Sequence, residues 1–348
     1  MEPTHRFLRA CHKLPVDRTP VWMMRQAGRY LPEYRAVRSK TNFLGLLKAP
    51  DLACEVTLQP IDIFGFDAAI LFSDILVPLE AMGIPLTFET GEGPKLEAVR
   101  DAAAIAKLIH PDPEQTMPFV YEAIRKIRRS LAGRVPLIGF AGAPFTLASY
   151  AVEGGTSKNF TVLKRMLYGS PDAARALFTK ISEVLVTYCE AQLAAGVEAL
   201  QLFDTWAGIL APPDFDPWAM SWARRVFDGI RATPTFQKNP VPLIYYVNGS
   251  SPYLEQIKTL GVDVMGIDWK QDLGDARRRL GPAIGVQGNL DPTLLFLPPA
   301  EIEVRVKAIL DAGKVFPTGH VFNLGHGILP ETPVDGVRAM LAAVHKHG

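Results

Sequence analysis

The stretch Val135–Val152, VPLIGFAGAPFTLASYAV, is the longest uncharged run of the chain, and the fold prediction starts from it. Its first part, Pro136–Ala141, is apolar at successive positions, which is typical of a strand buried on both faces. The run approaches the length of a membrane-spanning helix, but two prolines and two glycines interrupt it, and it ends with polar Thr146, Ser149 and Tyr150. We therefore predict a buried strand that continues into a loop.

Similar short apolar runs recur along the chain, and each is followed by a longer segment with helical periodicity. The eight predicted strands are Pro20–Met24, Ala68–Phe72, Pro136–Ala141, Ala199–Phe203, Pro242–Val247, Val264–Asp268, Ile284–Gln287 and Val321–Leu324. The predicted helices lie near residues 51–63, 114–131, 172–195, 217–231, 252–260, 271–280, 300–313 and 333–346. Apolar strands that alternate with helices predict a parallel sheet covered by helices.

Eight such units within 348 residues predict an α/β fold, namely a single (β/α)8 barrel of the TIM type. We expect one domain over residues 1–348, with long loops at the C-terminal face of the strands. The stretch Pro78–Pro94 is rich in glycine and proline and is predicted to be such a loop. A doubly wound open sheet is the alternative, but Met24–Gly28 does not form the GxGxxG turn typical of its first strand.

The composition is that of a well-buried globular protein, with 48% hydrophobic residues and 37 basic against 36 acidic side chains. This balance argues against a disordered chain and against a generally basic nucleic-acid binder. The odd number and wide spacing of Cys11, Cys54 and Cys189 fit neither a disulfide framework nor a CxxC site. Since no secretory signal or membrane span is recognisable, we expect a cytoplasmic protein without membrane or nucleic-acid partners.

Positive charge is concentrated in the first fifty residues. They contain ten lysines and arginines against three acids, a net charge of +7, while the remaining residues sum to −6. Arg25, Arg29, Arg35 and Arg38 follow the first predicted strand, and guanidinium groups bind carboxylates or phosphates in a bidentate way. The segment either binds an anionic partner or forms a solvated basic face balanced by acids elsewhere.

In an α/β barrel the chemistry lies at the carboxyl ends of the strands, so polar residues that follow the predicted strands are candidate site residues. They are Arg25, Asp74, Tyr150, Asp204, Thr205, Asn248, Asp268, Asn289 and His326. Asp74 is a single acid in an apolar stretch, so it is either a helix cap or a site acid for a cationic or N–H-rich ligand. Gly325 and Gly327 flank His326, and Gly28 lies between two arginines, which suggests close approach of a ligand.

Long motifs of the chain resemble those of a known enzyme family. PVWMMRQAGRYLPEYR (Pro20–Arg35) and GFAGAPFTLASYAVEGG (Gly139–Gly155) resemble the two signature segments of the uroporphyrinogen decarboxylases. Further matches are FDAAILFSDIL, LQLFDTWAG, GIDW, QGNLDP and NLGHGILP, in order along nearly the entire chain, and FDTWAG resembles the bacterial branch. The resemblance implies a (β/α)8 barrel that converts the four acetate side chains of uroporphyrinogen III to methyl groups, giving coproporphyrinogen III in heme biosynthesis. It also implies no cofactor, no metal and a homodimer whose clefts face each other.

The same resemblance implies roles for individual residues. It implies that Asp74 receives the pyrrole N–H groups and that Arg25 binds substrate carboxylates. We predict that both are catalytic: Asp74 stabilises positive charge on the ring, and Arg25 orients the departing carboxylate or donates a proton. The implied substrate-binding residues are Arg25, Gln26, Ala27, Gly28, Arg29, Arg38, Asp74, Tyr150, Thr205 and His326. Thr205 stands where some members of the family have serine, so the hydroxyl is kept.

Two other functions are compatible with such a scaffold. A corrinoid or thiol methyltransferase would hold zinc with histidine and cysteine ligands, but the three cysteines do not follow strand ends with that spacing. A tetrapyrrole carrier would keep the arginines but would not require the central acid Asp74. A turnover assay separates a carrier from an enzyme.

Overall fold

Seven parallel strands form one curled sheet at the centre of the computed structural model, which describes residues 3–89 and 93–348. Two further strands pair as an antiparallel hairpin, β2 with β3. The strands are β1 Ala69–Ile70, β2 Leu86–Glu89, β3 Gly93–Leu96, β4 Leu137–Gly142, β5 Ala199–Asp204, β6 Leu243–Val247, β7 Val264–Gly266, β8 Gly285–Gln287 and β9 His320–Val321. The order in the main sheet is β1-β4-β5-β6-β7-β8-β9, so each strand lies beside its successor along the sheet, as in a barrel wall.

Helices cover the outside of this sheet. They are α1 Arg6–Cys11, α2 Pro32–Arg38, α3 Phe43–Leu47, α4 Pro50–Phe64, α5 Val77–Ala81, α6 Ala102–Lys107, α7 Pro113–Thr116, α8 Pro118–Leu131, α9 Pro144–Glu153, α10 Thr161–Gly169, α11 Pro171–Ala195, α12 Pro212–Phe215, α13 Ser221–Ala232, α14 Pro234–Lys238, α15 Leu254–Ile257, α16 Leu273–Leu280, α17 Pro299–Gly313 and α18 Val334–His347. Short 3₁₀ helices are Ala207–Ile209, Ser251–Tyr253, Lys258–Leu260 and Pro292–Phe296, and Asp216–Met220 is a π-helical turn. Among the described residues, none of these helices combines the length and apolar character needed to cross a bilayer.

The first of the eight predicted strands is present only as a bridge. Val21 pairs with Phe322 beyond the end of β9, where the Phe322 N–H donates to the Pro20 carbonyl at 2.8 Å. On the other side, the Asp67 N–H donates to the Val21 carbonyl at 2.8 Å. The seven other predicted strands are confirmed, but the closed eight-stranded barrel is not.

The predicted loop after β4 is wrong, because residues 144–153 form α9. Pro144 occupies the first turn, where its missing N–H has no helical partner to lose. The Ser149 hydroxyl donates to the Phe145 carbonyl, and the Thr146 N–H donates to the carboxylate of Asp204, which lies at the end of β5. Pro144 at the start and Gly154 at the end were local signals of this helix, whereas the acceptor Asp204, 58 positions away, has no local signal.

The predicted long loop Pro78–Pro94 is also partly wrong. Most of α5 and the hairpin strand β2 lie within it, and β3 begins at Gly93. Residues 90–92 of this prediction lie outside the described part of the chain.

The sheet is buried on both faces, which explains the continuous apolar runs of the sequence. All residues of β4, β5 and β6 are buried. The buried side chains form one hydrophobic core that extends from Phe7 to Val344. Since both faces are covered, the polar residues that follow the strands are left as the accessible chemistry of the sheet.

Candidate active site

A cavity of about 720 Å³ opens at the carboxyl ends of the strands. Its polar lining consists of Arg25, Arg29, Arg38, Ser73, Asp74, Thr205 and His326. Its apolar lining includes Met24, Phe43, Ile70, Leu71, Phe72, Ile75, Phe88, Phe140, Phe203 and Ile328. The cavity therefore combines guanidinium groups and one carboxylate with a largely aromatic wall.

The guanidinium groups of Arg25 and Arg29 are unpaired cations. Within residues 3–89 and 93–348, neither group forms an ion pair or a hydrogen bond, and both side chains are exposed. Arg38 donates to the Thr41 carbonyl, which is an uncharged partner. Among the described residues, the cavity wall thus carries three positive charges and the carboxylate of Asp74, an arrangement suited to a ligand with several negative charges.

Arg25 is held in place by its backbone and by a glycine. Its φ is +64°, in the left-handed region that non-glycine residues rarely adopt. A Cβ atom on Gly327 would lie 2.4 Å from Arg25 Cδ, so the guanidinium stem occupies the space where a side chain would be. A Cβ on Gly28 would lie 2.9 Å from the Arg25 carbonyl oxygen. Both glycines are thus required by the packing of Arg25, rather than by the close approach of a ligand alone.

Asp74 follows β1 and, among residues 3–89 and 93–348, accepts from one donor, the Leu76 N–H at 2.8 Å. Burial raises the pKa of Asp74 to about 6, while the Leu76 hydrogen bond and the positive charge of Arg25 act in the opposite direction. The sequence left a helix cap and a site acid open. The structure shows a carboxylate that accepts one bond at the start of α5 and still faces the cavity.

His326 is a neutral hydrogen-bond donor on the cavity wall. The Gly327 N–H donates to its Nδ1 at 2.7 Å, which leaves the ring proton on Nε2. Burial lowers the pKa of His326 to about 4, and the positive charges of Arg25 and Lys270 lower it further, against the carboxylate of Asp268. Near pH 7 the ring can therefore donate a hydrogen bond without contributing a charge.

The aromatic wall was missed by sequence analysis. Phe72 follows β1 and Phe203 lies near the end of β5, and both rings line the cavity. Phe140 on β4 packs against Phe203 with ring centroids 5.6 Å apart. The position of these rings near the carboxyl ends of apolar runs was the signal that could have identified them.

Not every residue of the predicted binding set lines the cavity. Ala27, Gly28 and Thr205 do, but the Gln26 side chain is buried and bonded to backbone atoms: it accepts from the Met23 N–H and donates to the Ala68 carbonyl. Gln26 therefore holds the turn that carries Arg25, and its direct contact with a ligand stays a prediction.

Tyr150, expected on a loop, lies on α9 with its ring 6.3 Å from that of Trp206. Burial raises its pKa, and Asp74 and Arg25 are close enough to influence it. Tyr150 is therefore beside the polar end of the cavity, although it is not part of the lining.

The other strand-end residues hold the backbone instead of facing the cavity. Asp204 accepts from Thr146 and from the Tyr245 hydroxyl, at 2.8 and 2.7 Å. Asp268 accepts from three backbone N–H groups, Asn289 donates to two carbonyls, and Asn248 accepts from a lysine. Their side chains therefore hold α9 and the loops after β6, β7 and β8, which contribute no described residue to the cavity lining.

The three cysteines lie on separate helices, α1, α4 and α11, and all are buried. Burial raises the pKa of each thiol, to about 12 for Cys189. No group of three histidine, cysteine or acidic side chains placed to hold a metal ion occurs within residues 3–89 and 93–348. The geometry expected of a thiol-activating zinc site is not assembled by these residues.

Comparisons with known proteins find the same enzyme family along nearly the whole chain. The family described as uroporphyrinogen decarboxylase (URO-D) matches residues 2–347. The uroporphyrinogen decarboxylase of Geobacter metallireducens is 52% identical over 98% of both chains. That of Myxococcus xanthus is 50% identical over 99% of this chain and 96% of its own. Among solved structures, a methyltransferase from Methanosarcina mazei superposes with a TM-score of 0.80 over 98% of this chain and 97% of its own. At 21% identity, this last similarity concerns the fold alone.

Proposed function

The chain belongs to the uroporphyrinogen decarboxylase family, and we propose that it removes carbon dioxide from the four acetate side chains of uroporphyrinogen III to give coproporphyrinogen III. The enzyme is a carboxy-lyase of tetrapyrrole biosynthesis. Identity of about half over nearly the full length of curated decarboxylases supports the activity. The roles of the site residues and the type III isomer of the substrate are part of the proposal.

One observation supports the substrate most directly: unpaired arginines and an aromatic wall line the same cavity. Uroporphyrinogen has apolar pyrrole faces and eight carboxylates at its rim. Phe72, Phe140 and Phe203 offer apolar surface for the faces, and Arg25 and Arg29 offer bidentate donors for the rim. A near-neutral protein thus concentrates positive charge where an anionic macrocycle would bind.

The reaction needs an electron sink next to each acetate. Protonation of the adjacent pyrrole carbon places positive charge on the ring. The bond between the methylene and the carboxylate then breaks, and its electron pair neutralises the ring as carbon dioxide leaves. The methylene carbon takes up a proton and the ring carbon returns one, so each acetate consumes one proton in total.

Asp74 stabilises the ring as it becomes positive. Its carboxylate has one protein donor, which leaves oxygen lone pairs free to accept the pyrrole N–H groups at the macrocycle centre. Above pH 6 this carboxylate is mainly ionised, and its fixed negative charge favours the ring as it becomes positive over the uncharged ring of the substrate.

The remaining polar groups orient the substrate. A guanidinium retains its protons at neutral pH, so we assign Arg25 to orienting the departing carboxylate rather than to acid catalysis. The Nε2–H of His326 donates to an oxygen of a substrate carboxylate, and Thr205 and Tyr150 supply hydroxyl groups nearby. Arg29 and Arg38 bind carboxylates at the rim.

The proposal also includes a homodimer with facing clefts, a cytoplasmic location, a single domain, and catalysis without cofactor or metal. A closed barrel is part of it as well. The hydrogen bonds of residues 20–22 to Phe322 on one side and Asp67 on the other support the closure.

The test is anaerobic incubation of the purified, metal-free protein with uroporphyrinogen III, followed by oxidation and chromatographic counting of carboxyl groups. We expect loss of four carboxylates from each macrocycle without added cofactor. Recovery of the eight-carboxylate compound, bound by folded protein, would refute the decarboxylase and favour a carrier.

A further inference from the structure

The strand β6 carries a buried tyrosine, Tyr246, that donates a hydrogen bond to the loop that carries His326. The Tyr246 hydroxyl donates to the Gly325 carbonyl at 2.9 Å, across 79 positions of sequence. In the part of the chain that the structure describes, β6 contributes no residue to the cavity lining. Tyr246 therefore lies behind the described cavity wall, and its hydroxyl acts on the loop that follows β9.

This loop, Gly325–Gly327, carries His326 between two glycines. The Gly325 N–H donates to the Leu290 carbonyl at 2.7 Å, and a Cβ on Gly325 would lie 2.3 Å from the backbone nitrogen of Trp269. Packing therefore excludes a side chain there, and a glycine backbone is the most flexible kind. The Tyr246 hydroxyl fixes the direction of the Gly325 carbonyl that precedes His326.

Aromatic contacts also link Tyr246 to His326. The Tyr246 ring meets the His326 ring edge to face at 6.3 Å, and the Phe203 ring at 5.9 Å. Trp269 meets His326 from another side at 5.9 Å, also edge to face. His326 is thus enclosed by two aromatic rings, while its Nδ1 accepts from the Gly327 N–H.

We propose that Tyr246 is a positioning residue that holds the Gly325–Gly327 loop and thereby sets the orientation and the Nε2–H tautomer of His326. The inference rests on the proposed function for its kinetic consequence. Gly325 has no side chain to restrict its backbone, so the hydrogen bond from the Tyr246 hydroxyl restricts it instead. Without it, the Gly325 carbonyl is left without its buried donor and the peptide before His326 can rotate.

The neighbouring Tyr245 shows that this role belongs to one hydroxyl. Successive residues of a strand point to opposite faces, and Tyr245 packs against Phe227 of α13. Its hydroxyl donates to Asp204, which caps α9. The two tyrosines therefore act on different parts of the site.

The experiment compares Tyr246→Phe with two matched controls. Tyr253→Phe also removes a buried hydroxyl that donates to a carbonyl, that of Leu210, and Tyr121→Phe removes a buried hydroxyl that has no partner among the described residues. We expect Tyr246→Phe to lower kcat/KM about tenfold, while both controls stay within about twofold of the parent. Tyr253→Phe and Tyr246→Phe should lower the melting temperature by similar amounts.

Two readouts separate positioning from a general loss of stability. In ¹⁵N spectra, His326 of the parent protein should show a protonated Nε2 and an unprotonated Nδ1, and Tyr246→Phe should show a mixture of tautomers. In a His326→Ala background, the kinetic effect of Tyr246→Phe should shrink to less than about twofold.

Retention of the single tautomer in Tyr246→Phe, or an undiminished tenfold loss in the His326→Ala background, would overturn the inference. The tautomer spectra do not depend on turnover. A protein that fails to decarboxylate uroporphyrinogen would therefore refute the proposed function while the spectra still decide the role of Tyr246.

Discussion

Arginines of the same basic N-terminal segment have opposite surroundings at the two ends of the sheet. At the amino ends of the strands, Arg6 and Arg18 both donate to Asp67, at 2.6 and 3.0 Å. At the carboxyl ends, Arg25 and Arg29 form no ion pair within the described residues, although the charge of Arg25 acts on the pKa of Asp74. The net charge of +7 is therefore divided between a stabilising network and a ligand site.

The two aspartates show the same division. Asp67 accepts from Arg6, from Arg18 and from the Val21 N–H, and it is 6% exposed. Asp74 accepts from one backbone N–H and faces the cavity. A buried carboxylate with several donors is satisfied by the fold, whereas one with a single donor is available to a ligand.

The largest expected effect is a loss of kcat that distinguishes Asp74 from Asp67. Asp74→Asn keeps the shape of the side chain but removes its charge, so kcat should fall about 10² to 10³-fold, as for other preorganised groups that stabilise charge in a transition state. The free energy of unfolding should stay the same or rise, because burial disfavours the carboxylate of Asp74. Steady-state kinetics and denaturant unfolding measure the two quantities.

The matched control is Asp67→Asn, which should lower the free energy of unfolding by about 2 kcal/mol through weaker bonds to charged partners. Its kcat should stay within about twofold of the parent. Equal kinetic losses in the two variants would contradict the division of roles.

The arginines provide the next test. Arg29→Ala removes a charged donor from the cavity, and kcat/KM should fall about 10- to 100-fold, which corresponds to about 1.4 to 2.8 kcal/mol of charge-assisted hydrogen bonding. Arg18→Ala, in the amino-end network, should lower the melting temperature and leave kcat/KM unchanged. Kinetics that respond equally to both substitutions would show that the two ends are not separate.

A smaller effect is expected when the guanidinium of Arg25 is displaced but keeps its charge. Gly327→Ala would place a Cβ where the Arg25 stem lies, so the guanidinium must shift and kcat/KM should fall about tenfold, as in other misplaced sites. Gly169→Ala is the control, because a Cβ there meets nothing within 4 Å. If Gly327→Ala turned over like the parent, the position of Arg25 would not matter.

The smallest effect is the pH dependence of Asp74. Its pKa is raised from 3.8 to about 6, so the folded chain holds this proton more tightly than the unfolded chain. The stabilisation from this group is therefore greatest below its unfolded pKa and is lost as the pH rises through 6. Catalysis needs the ionised form, so kcat/KM should fall about fivefold between pH 6 and pH 5.

Asp204 provides the control for this titration, since burial also raises its pKa to about 6. Asp74→Asn should abolish the acidic limb of the kcat/KM profile, while Asp204→Asn should change the pH dependence of unfolding and keep that limb. An acidic limb that survives Asp74→Asn would assign it to another group.

Particular elements show how far local signals reach. Seven of the eight predicted strands were confirmed because continuous apolar runs require burial on both faces. The first was wrong as a regular strand, since Val21 contributes only a bridge and the chain turns by Gln26. Helix α9 was missed because its uncharged sequence was interpreted as a strand and a loop, although Pro144 and Gly154 mark its ends; its distant acceptor Asp204 gave no local signal. Asp204 and Asp268 had the same sequence signal as Asp74, and only their partners distinguish them.

The alternation of strands and helices, the family, and the concentration of arginines after the first apolar run could all be read from the amino-acid sequence. Those properties follow from side-chain type and spacing along single segments. Which charges are paired, which strand-end residues face the cavity and which hold the backbone became visible in the folded chain. Pairing depends on donors that lie tens to hundreds of positions apart, such as Arg6 beside Asp67 or Tyr246 beside Gly325, and folding alone brings them within hydrogen-bond distance.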